Sequence, residues 1–340
     1  MRKLNIELKD HSYDIYIEEG LLFHLNKYIK NVYKEKKIFI ITDDKVASFY
    51  LDTVVNSLSS DYEVDYVIIP NGEESKNINV YADVCEKLIT KGIRRNYLLL
   101  ALGGGVVGDL TGFIASTLFR GLPYIGVPTS LLSQMDSSIG GKTGIDFNGR
   151  KNIIGAFKQP LMVLIDPNSL NTLEKCEFNN GMGELIKHGA IGNKKLLNML
   201  VSKPCINEDI IYESLTVKKK LVELDEFDLK ERMFLNFGHT FGHAVELKLG
   251  YKHGEAVAVG MLMALKMGID LGVTEKYCYD LIENVIKLYE LPCDLLDYKD
   301  YLKDAIYDKK NLAGKVRFIL ISDIGKPFMY EIKEEELLWM

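Results

Sequence analysis

The first half of the chain alternates short apolar runs with helix-like stretches, and this alternation constrains the fold more than any other feature. The β-type runs lie at residues 37–42, 63–69, 96–102, 122–128 and 161–166. Alternation of strands and helices predicts a parallel sheet covered by helices. After Pro167 the apolar spacing becomes helical, and residues 254–271 predict a buried helix because they are apolar nearly all round.

At 340 residues the chain is long enough for two domains. We expect an α/β domain at residues 1–166 with a Rossmann-like parallel sheet, followed by a mainly α-helical domain at residues 167–340. Near the end, residues 316–322 and 328–332 predict a late pair of strands around Gly325.

Composition and charge exclude several classes of protein. The longest apolar runs, such as 98–102 and 161–165, are far shorter than the roughly 20 residues that a membrane span needs. The N-terminus lacks the apolar stretch of a signal peptide, so we expect a cytoplasmic protein. A formal net charge of −6 argues against nonspecific binding of nucleic acid. Five widely spaced cysteines without a CxxC pair predict neither a disulfide framework nor a thiolate zinc site.

A glycine-rich turn follows the strand predicted at 96–102. Residues 103–108 read Gly-Gly-Gly-Val-Val-Gly and match GxGxxG, with Asp109 next. Such a turn can bring backbone amides and a helix N-terminus to a pyrophosphate, although it also fits a tight strand-to-helix turn without a ligand. No acid follows about 20 residues later, as the usual fingerprint requires. Asp43, directly after an earlier strand, is the acid that could hold a ribose hydroxyl.

Three of the six histidines, His239, His243 and His253, fall within fifteen residues. His239 and His243 have the spacing of a zinc pair on a helix, but the chain lacks the glutamate of HExxH, which disfavours a zincin peptidase. Gly238 and Gly242 suggest that something approaches the helix backbone closely. Steps of four, three and four predict one helical stripe of polar side chains, which would line a site or face water: Arg232, Asn236, His239 and His243.

Two further segments carry charged residues beside glycines. Glu184 and Lys187 stand three apart on a predicted helix, a spacing that usually makes a surface ion pair. A carboxylate together with two imidazoles is, however, a common metal ligand set with an open coordination position. Glycine-rich turns at residues 140–144 and 149–152 bear lysines and could bind phosphate or carboxylate, or be solvated loops. Residues 308–311 are typical of an exposed turn.

Taken together and in order, these segments resemble the 3-dehydroquinate synthase family along nearly the whole chain. The resemblance implies an N-terminal domain that binds NAD and a helical C-terminal domain, with one divalent metal, zinc or cobalt, in the site. The segments that carry it are Gly-Glu-Glu-Ser-Lys at 72–76, the glycine turn at 103–109, Pro-Thr-Ser-Leu-Leu at 128–132, Asp-Ser-Ser-Ile-Gly-Gly-Lys-Thr-Gly at 136–144, Lys-Asn at 151–152, Gly-Glu-Leu-Ile-Lys at 183–187, Leu-Asn-Phe-Gly-His-Thr-Phe-Gly-His at 235–243 and His-Gly-Glu-Ala-Val at 253–257.

The resemblance also implies roles for single residues. The metal ligands fall on Glu184, His239 and His253, and His243 handles protons near the substrate. The residues implied to line NAD are Asp43, Glu73, Lys76, Gly104, Gly105, Asp109, Thr129, Ser130, Lys142, Lys151 and Thr172. The residues implied to face the substrate are Asp136, Lys142, Asn152, Lys187, Lys218, Arg232, Asn236 and one or both of Lys309 and Lys310. Two positions depart from the family pattern, with Ser130 where Thr is usual and Lys45 where Asn is common.

The family resemblance further implies a homodimer in which Arg120 reaches the phosphate pocket of the partner subunit. Residues 108–119 predict the helix after the glycine turn, and Arg120 and Gly121 are typical of its end, where a cation complements the helix dipole. That local role is the alternative interpretation of Arg120.

The implied activity is that of a carbon–oxygen lyase of the shikimate pathway. NAD oxidises the C5 alcohol of 3-deoxy-D-arabino-heptulosonate 7-phosphate, phosphate leaves from C7, the hydride returns, and ring opening with aldol closure gives 3-dehydroquinate. Three alternatives remain open: a cyclase acting on a sugar phosphate without a carboxylate, a metal-dependent polyol dehydrogenase that releases NADH, and a nucleotide-sensing protein without turnover. The last is expected to lose the metal ligands or His243, and all of these are present.

Overall fold

The computed structural model describes residues 1–202, 205–294, 296–304 and 315–333. The chain packs as two compact units. The first comprises Met1–Leu173 and Asn207–Tyr212, and the second comprises Glu174–Ile206 and the described residues from Glu213 onward. Nothing in the sequence pattern marks residues 207–212 as part of the first unit.

A seven-stranded sheet forms the centre of the first unit. Its strands are β1 (Arg2–Ile6), β2 (Tyr13–Ile17), β3 (Lys37–Asp43), β4 (Glu63–Ile69), β5 (Leu98–Gly103), β6 (Tyr124–Pro128) and β9 (Met162–Ile165). They lie in the order β1-β2-β9-β6-β5-β3-β4, and only the pair β1 and β2 is antiparallel. The predicted parallel sheet is confirmed, and β1 and β2 extend it beyond the prediction.

Helices cover both faces of this sheet, as the apolar pattern of β5 requires. Leu98, Leu100 and Leu102 join one buried cluster, whereas Leu99 and Ala101 join another. Because alternate residues point to opposite faces, a strand buried on both faces reads as a continuous apolar run. The helices of this unit are α1 (Asn26–Ile29), α2 (Asp44–Leu58), α3 (Ile78–Thr90) and α4 (Gly105–Thr117).

Two segments of the first unit differ from the prediction. The lysine-bearing glycine turns belong to an antiparallel hairpin of β7 (Lys142–Phe147) and β8 (Arg150–Phe157). Helix α4 ends at Thr117, two residues earlier than predicted, and Phe119 and Arg120 adopt left-handed conformations with φ of 52° and 62°. Arg120 therefore lies in a turn rather than on the end of the helix.

The second unit is mainly helical, as predicted. Its elements are α5 (Lys175–Gly192), α6 (Lys194–Val201), α7 (Glu208–Leu224, whose first turn belongs to the first unit), α8 (His239–Leu249), α9 (His253–Asp270), α10 (Lys276–Leu288) and the hairpin of β10 (Lys315–Asp323) and β11 (Lys326–Lys333). The buried helix predicted at 254–271 is α9, and the late strand pair is confirmed. None of the helices in the described residues is long and apolar enough to cross a membrane. All five cysteines are free thiols.

The polar stripe predicted for one helix is wrong. Glu231–Asn236 form a 3-10 turn, and Gly238, with φ of 81°, separates this turn from α8, which begins at His239. Arg232 and Asn236 therefore lie outside the helix that carries the histidines.

Candidate active site

The carboxyl edge of the sheet in the first unit gathers several of the residues assigned to NAD. Strand β3 ends at Asp43, β5 at Gly103 and β6 at Pro128. Gly103 pairs with Pro128, and Thr42 pairs with Leu102, so these ends lie side by side. The chain leaves β3 toward β4 on one side and returns to β5 on the other. Such a reversal leaves a crevice at the carboxyl ends, where parallel sheets bind ligands.

Asp43 is buried at this edge and caps helix α2. Its Oδ1 accepts hydrogen bonds from the Val46 amide at 2.8 Å and from Asn71 Nδ2 at 3.2 Å. A carboxylate has two oxygens, so the cap leaves Oδ2 able to accept a hydrogen bond from a ribose hydroxyl. Lys45 is the second residue of α2 and is partly buried.

The glycine turn places Gly104 at the N-cap of α4 and Gly105 at its first position. One turn later, Asp109 Oδ2 accepts a hydrogen bond from the buried Lys76 Nζ at 2.5 Å. Burial alone would lower the pKa of Lys76, but the carboxylate of Asp109 raises it above its usual value. The resemblance assigns both residues to NAD, and here they form an ion pair of a buried lysine and a partly buried aspartate beside the glycine turn.

The other assigned residues of the first unit divide between this edge and its surface. The Thr129 amide donates to the Gly103 carbonyl at 3.0 Å, and Ser130 Oγ lies 2.9 Å from Ser133 Oγ. A pocket is lined by residues that include Gly104, Asp109 and Lys142. Asp136 is partly buried, and the exposed assigned residues are Glu73, Arg120, Lys142, Lys151, Asn152 and Thr172.

In the second unit, glycines let three helix segments meet at backbone contact. A Cβ on Gly183 of α5 would lie 2.0 Å from the Gly254 carbonyl oxygen of α9. A Cβ on Gly260 of α9 would lie 2.1 Å from the Gly238 carbonyl oxygen, directly before α8. Each contact adjoins a predicted metal ligand, since Glu184 follows Gly183 and His239 follows Gly238. The close approach signalled by Gly238 is therefore that of a neighbouring helix.

These contacts bring Glu184, His239 and His253 together. One ligand atom of each lies within 4.8 Å of the other two. Glu184 Oε1 lies 3.4 Å from Nε2 of His239 and 3.4 Å from Nε2 of His253. The second carboxylate oxygen, Oε2, contacts Lys187 Nζ. The Glu184 and Lys187 pair is thus buried, which excludes the usual interpretation as a surface ion pair.

Electrostatics set the charge of each group in this cluster. Burial alone would raise the pKa of Glu184, but Lys187 and the two imidazoles hold it well below its usual value. Burial and the charge of Lys187 lower the pKa of His239 to about 3, so its imidazole is neutral at pH 7. Burial would lower the pKa of His253, but the adjacent carboxylates of Glu184 and Glu246 raise it to about 9.

The cluster fits a divalent cation. Glu184 Oε1 is buried without a hydrogen-bond partner, although two imidazole nitrogens face it. Ligand atoms on a tetrahedral zinc at about 2.0–2.1 Å lie about 3.3 Å apart, close to the two 3.4 Å separations here. The opposite nitrogens are also oriented, because His239 Nδ1 lies 3.3 Å from the Phe237 carbonyl oxygen and His253 Nδ1 lies 3.5 Å from Glu246 Oε2. Partners of this kind fix the tautomer that presents Nε2 to a metal.

The other assigned residues of the second unit lie on α7, on α8 or in the 3-10 turn, apart from two lysines outside the described residues. His243 is one turn beyond His239, and the two ring centroids are 5.7 Å apart. Lys218 is buried on α7, and Arg232 is buried with its Nη1 donating to the Glu226 carbonyl at 2.7 Å. Asn236 ends the 3-10 turn. Lys309 and Lys310 lie outside the described residues.

Sequence reasoning did not single out Glu246 or Asp225. Glu246 lies beside His253, and Asp225 accepts a hydrogen bond from the Arg232 amide. In the sequence, Glu246 could be noticed only as an acid three residues after His243 on the same helix. Asp225 could not be noticed, because its partners are backbone amides.

Comparison with known proteins identifies the family. Residues 66–180 match the family model described as 3-dehydroquinate synthase N-terminal, and residues 181–311 match the one described as 3-dehydroquinate synthase C-terminal. The 3-dehydroquinate synthase of Clostridium botulinum (strain Alaska E43 / Type E3) is 42% identical over 341 residues, 97% of each chain.

Solved structures share the fold. A crystal structure of 2-deoxy-scyllo-inosose synthase complexed with carbaglucose-6-phosphate, NAD⁺ and Co²⁺ has a TM-score of 0.86 at 24% identity, covering 99% of this chain and 98% of its own. The 2-epi-5-epi-valiolone synthase of Streptomyces hygroscopicus subsp. jinggangensis 5008, with NAD⁺ and Zn²⁺ bound, has a TM-score of 0.84 at 25% identity, covering 98% and 96%. With the two family models matched over residues 66–311 and a relative 42% identical over nearly its full length, the chain belongs to the 3-dehydroquinate synthase family.

Proposed function

We propose that this chain is an NAD- and metal-dependent lyase that converts 3-deoxy-D-arabino-heptulosonate 7-phosphate into 3-dehydroquinate and phosphate. Membership of the family supports the reaction. The observation that carries the chemistry is the buried Oε1 of Glu184, which faces Nε2 of both His239 and His253 at 3.4 Å. This donor set leaves an open position for substrate oxygens on a divalent cation.

Two bound groups supply chemistry that side chains lack. A nicotinamide at the carboxyl edge of the sheet would supply reversible hydride transfer, and a divalent cation held by Glu184, His239 and His253 would stabilise negative charge on substrate oxygens. Zinc and cobalt are the metals we propose, since they accompany the two related synthases.

The chain's own residues bind the substrate and move its protons. The imidazole of His243 accepts the proton of the alcohol, because imidazole is the side chain that most often acts as a general base. Arg232 and Lys218 hold the substrate carboxylate, and Lys142 and Asn152 hold the phosphate. Fixing both ends of the substrate orients its reacting carbons. Such orientation contributes a large part of the lowering of the activation free energy.

The test is turnover by purified protein supplied with the heptulosonate phosphate, NAD and Zn²⁺. We expect phosphate and 3-dehydroquinate to form in equal amounts, while NADH does not accumulate. Growth of NADH in step with turnover would instead indicate a polyol dehydrogenase. Cyclisation of glucose 6-phosphate as fast as the heptulosonate phosphate would indicate a cyclase that does not use a carboxylate.

Asp43 is expected to set cofactor affinity. Asp43→Asn keeps an oxygen for the α2 cap but removes the negative charge of the carboxylate that accepts from the ribose hydroxyl. We expect the KM for NAD to rise roughly tenfold, since a hydrogen bond to a charged group contributes about 1.5 kcal/mol or more. Steady-state kinetics with varied NAD measure this, with Asp52→Asn on the exposed side of α2 as the matched control. An unchanged KM for NAD would remove Asp43 from the ribose site.

We also propose that the enzyme is a homodimer in which Arg120 completes the partner's phosphate site. Non-glycine residues in left-handed conformations cost of order 1–3 kcal/mol each, and they persist where surroundings fix them. Phe119 and Arg120 are consecutive residues of this kind, and both are exposed. Large apolar side chains on the hairpin are also exposed, namely Phe147, Ile153 and Phe157. An interface over these residues would account for both observations.

Mixing two inactive variants tests the shared site. Arg120→Ala and Glu184→Gln proteins should each be inactive, but a heterodimer has one site with Arg120 from one chain and all metal ligands from the other. With random exchange, half of the dimers are heterodimers and each has one intact site of two, so about a quarter of wild-type activity should return. No recovery, despite exchange verified by differently tagged subunits, would place Arg120 in its own chain's site or outside the chemistry.

A further inference from the structure

Asp225 is an acid at a position where helix electrostatics disfavour one. It directly follows Leu224, the last residue of α7, and it is buried. The carboxyl end of a helix carries a partial negative charge, so a carboxylate there is destabilising unless other groups bind it. A buried carboxylate in this place therefore calls for specific partners.

The partners of Asp225 are three backbone amides of the segment that follows. Oδ1 accepts a hydrogen bond from the Leu229 amide at 2.9 Å. Oδ2 accepts from the Lys230 amide at 2.6 Å and from the Arg232 amide at 3.2 Å. Burial alone would raise the pKa of Asp225, but these amides and the charge of Arg232 lower it below its usual value. The side chain thus ties the end of α7 to the turn that begins near Arg232.

The segment between them folds back sharply and also holds the guanidinium. Asp228 adopts a left-handed conformation with φ of 60°, which reverses the chain. Arg232 Nη1 donates to the Glu226 carbonyl at 2.7 Å. Arg232 is consequently fixed at its backbone by Asp225 and at its guanidinium by the neighbouring residue of the same loop. An arginine held at its backbone and at its guanidinium has little freedom to reorient.

We propose that Asp225 is a positioning residue that sets Arg232 for the substrate carboxylate. The inference rests on the proposed function, in which Arg232 and Lys218 hold that carboxylate. Lys218 lies on α7, whose end Asp225 occupies, and Arg232 lies on the segment that Asp225 binds. Asp225 therefore joins the two segments that carry the two cations, and its loss changes the placement of one relative to the other.

Asp225→Asn in the holoenzyme tests this, with Glu231→Gln as the matched control. Glu231 is an exposed acid next to Arg232. Asparagine has one acceptor oxygen in place of two and no charge, so we expect the KM for the heptulosonate phosphate to rise roughly tenfold or more. Asp225→Glu, which keeps the charge but moves the carboxylate by one methylene, should raise KM in the same direction. If Asp225→Asn does not fold, Asp225→Glu carries the test alone.

Three measurements separate positioning from general damage. The KM for NAD, the affinity for Zn²⁺ and inhibition by inorganic phosphate should each stay within about twofold of the wild type, because Arg232 serves the carboxylate. In the Arg232→Ala background, Asp225→Asn should add less than about twofold, because its effect passes through Arg232. Glu231→Gln should match the wild type throughout.

Several results would overturn the inference. An unchanged substrate KM, equal losses of NAD, zinc and phosphate affinity, or a full multiplicative effect in the Arg232→Ala background would each do so. Failure of the wild-type protein to turn over the heptulosonate phosphate is a different result, since it refutes the proposed function from which the inference starts.

Discussion

Gly183→Ala should abolish metal binding and lower the free energy of unfolding by about 3 kcal/mol. The new Cβ would lie 2.0 Å from the Gly254 carbonyl oxygen and 2.7 Å from its carbonyl carbon. Both atoms belong to the backbone of α9, so no side chain can rotate away and the two helices must separate. Glu184 and His253 lie beside the two glycines and move apart with them, whereas metal ligand distances tolerate only about 0.2 Å.

Chemical denaturation measures the stability change, and competition for Zn²⁺ with a chromophoric chelator measures the affinity. Gly254→Ala should behave similarly, since its Cβ would lie 2.0 Å from the Asn180 carbonyl oxygen. Gly108→Ala is the control, because a Cβ there meets nothing within 4 Å. That variant should bind zinc normally and gain up to about 1 kcal/mol from helix propensity. Wild-type zinc affinity in Gly183→Ala would mean that the helix contact does not set the metal site.

The sheet was predictable to the extent that its strands are buried on both faces. Strands β3, β5, β6 and β9 read as largely apolar runs, whereas β4, at the edge of the sheet, mixes polar and apolar residues. Each of the five lies within two residues of its predicted position. Strands β1 and β2 were missed because they lie at one side of the sheet and alternate buried with exposed or partly exposed residues over only five positions each. A short half-buried strand leaves too little periodicity to identify.

The hairpin of β7 and β8 was predicted as loops because of its glycines. Gly144 and Gly155 face each other across the two strands, and a Cβ on either would lie within 2.7 Å of the backbone of the opposite strand. Glycine in a strand normally weakens the strand pattern, so close cross-strand packing and a loop look alike in sequence.

The spacing of histidines along the chain could suggest a metal site but could not identify its ligands. The interval between His239 and His243 favoured that pair as ligands, whereas the cluster contains His239 and His253. Only the break at Gly238 and the backbone packing of α8 on α9 decide which imidazoles face Glu184. The family resemblance supplied the set that the structure brings together, because it carries tertiary information that the intervals lack.

Glu184→Gln should have two separable effects, one on metal binding and one on stability. Loss of a direct ligand should weaken Zn²⁺ binding by more than about 100-fold, since even outer partners of metal ligands contribute 10- to 100-fold. The same change leaves the buried ammonium of Lys187 without its carboxylate, because Glu184 Oε2 is the group that it contacts. Breaking a buried ion pair on one side costs about 3–5 kcal/mol of stability.

A double variant distinguishes these effects. Glu184→Gln combined with Lys187→Met removes both charges and keeps similar volumes, so stability should return to within about 1 kcal/mol of the wild type while zinc affinity stays lost. Denaturant unfolding without metal and chelator competition with metal measure the two quantities on the same proteins. If the double variant remained as unstable as Glu184→Gln, the buried pair would not account for the stability loss. If Glu184→Gln bound Zn²⁺ as tightly as the wild type, the carboxylate would not be a ligand, and the 3.4 Å approach of both imidazoles to Oε1 would need an explanation other than a metal.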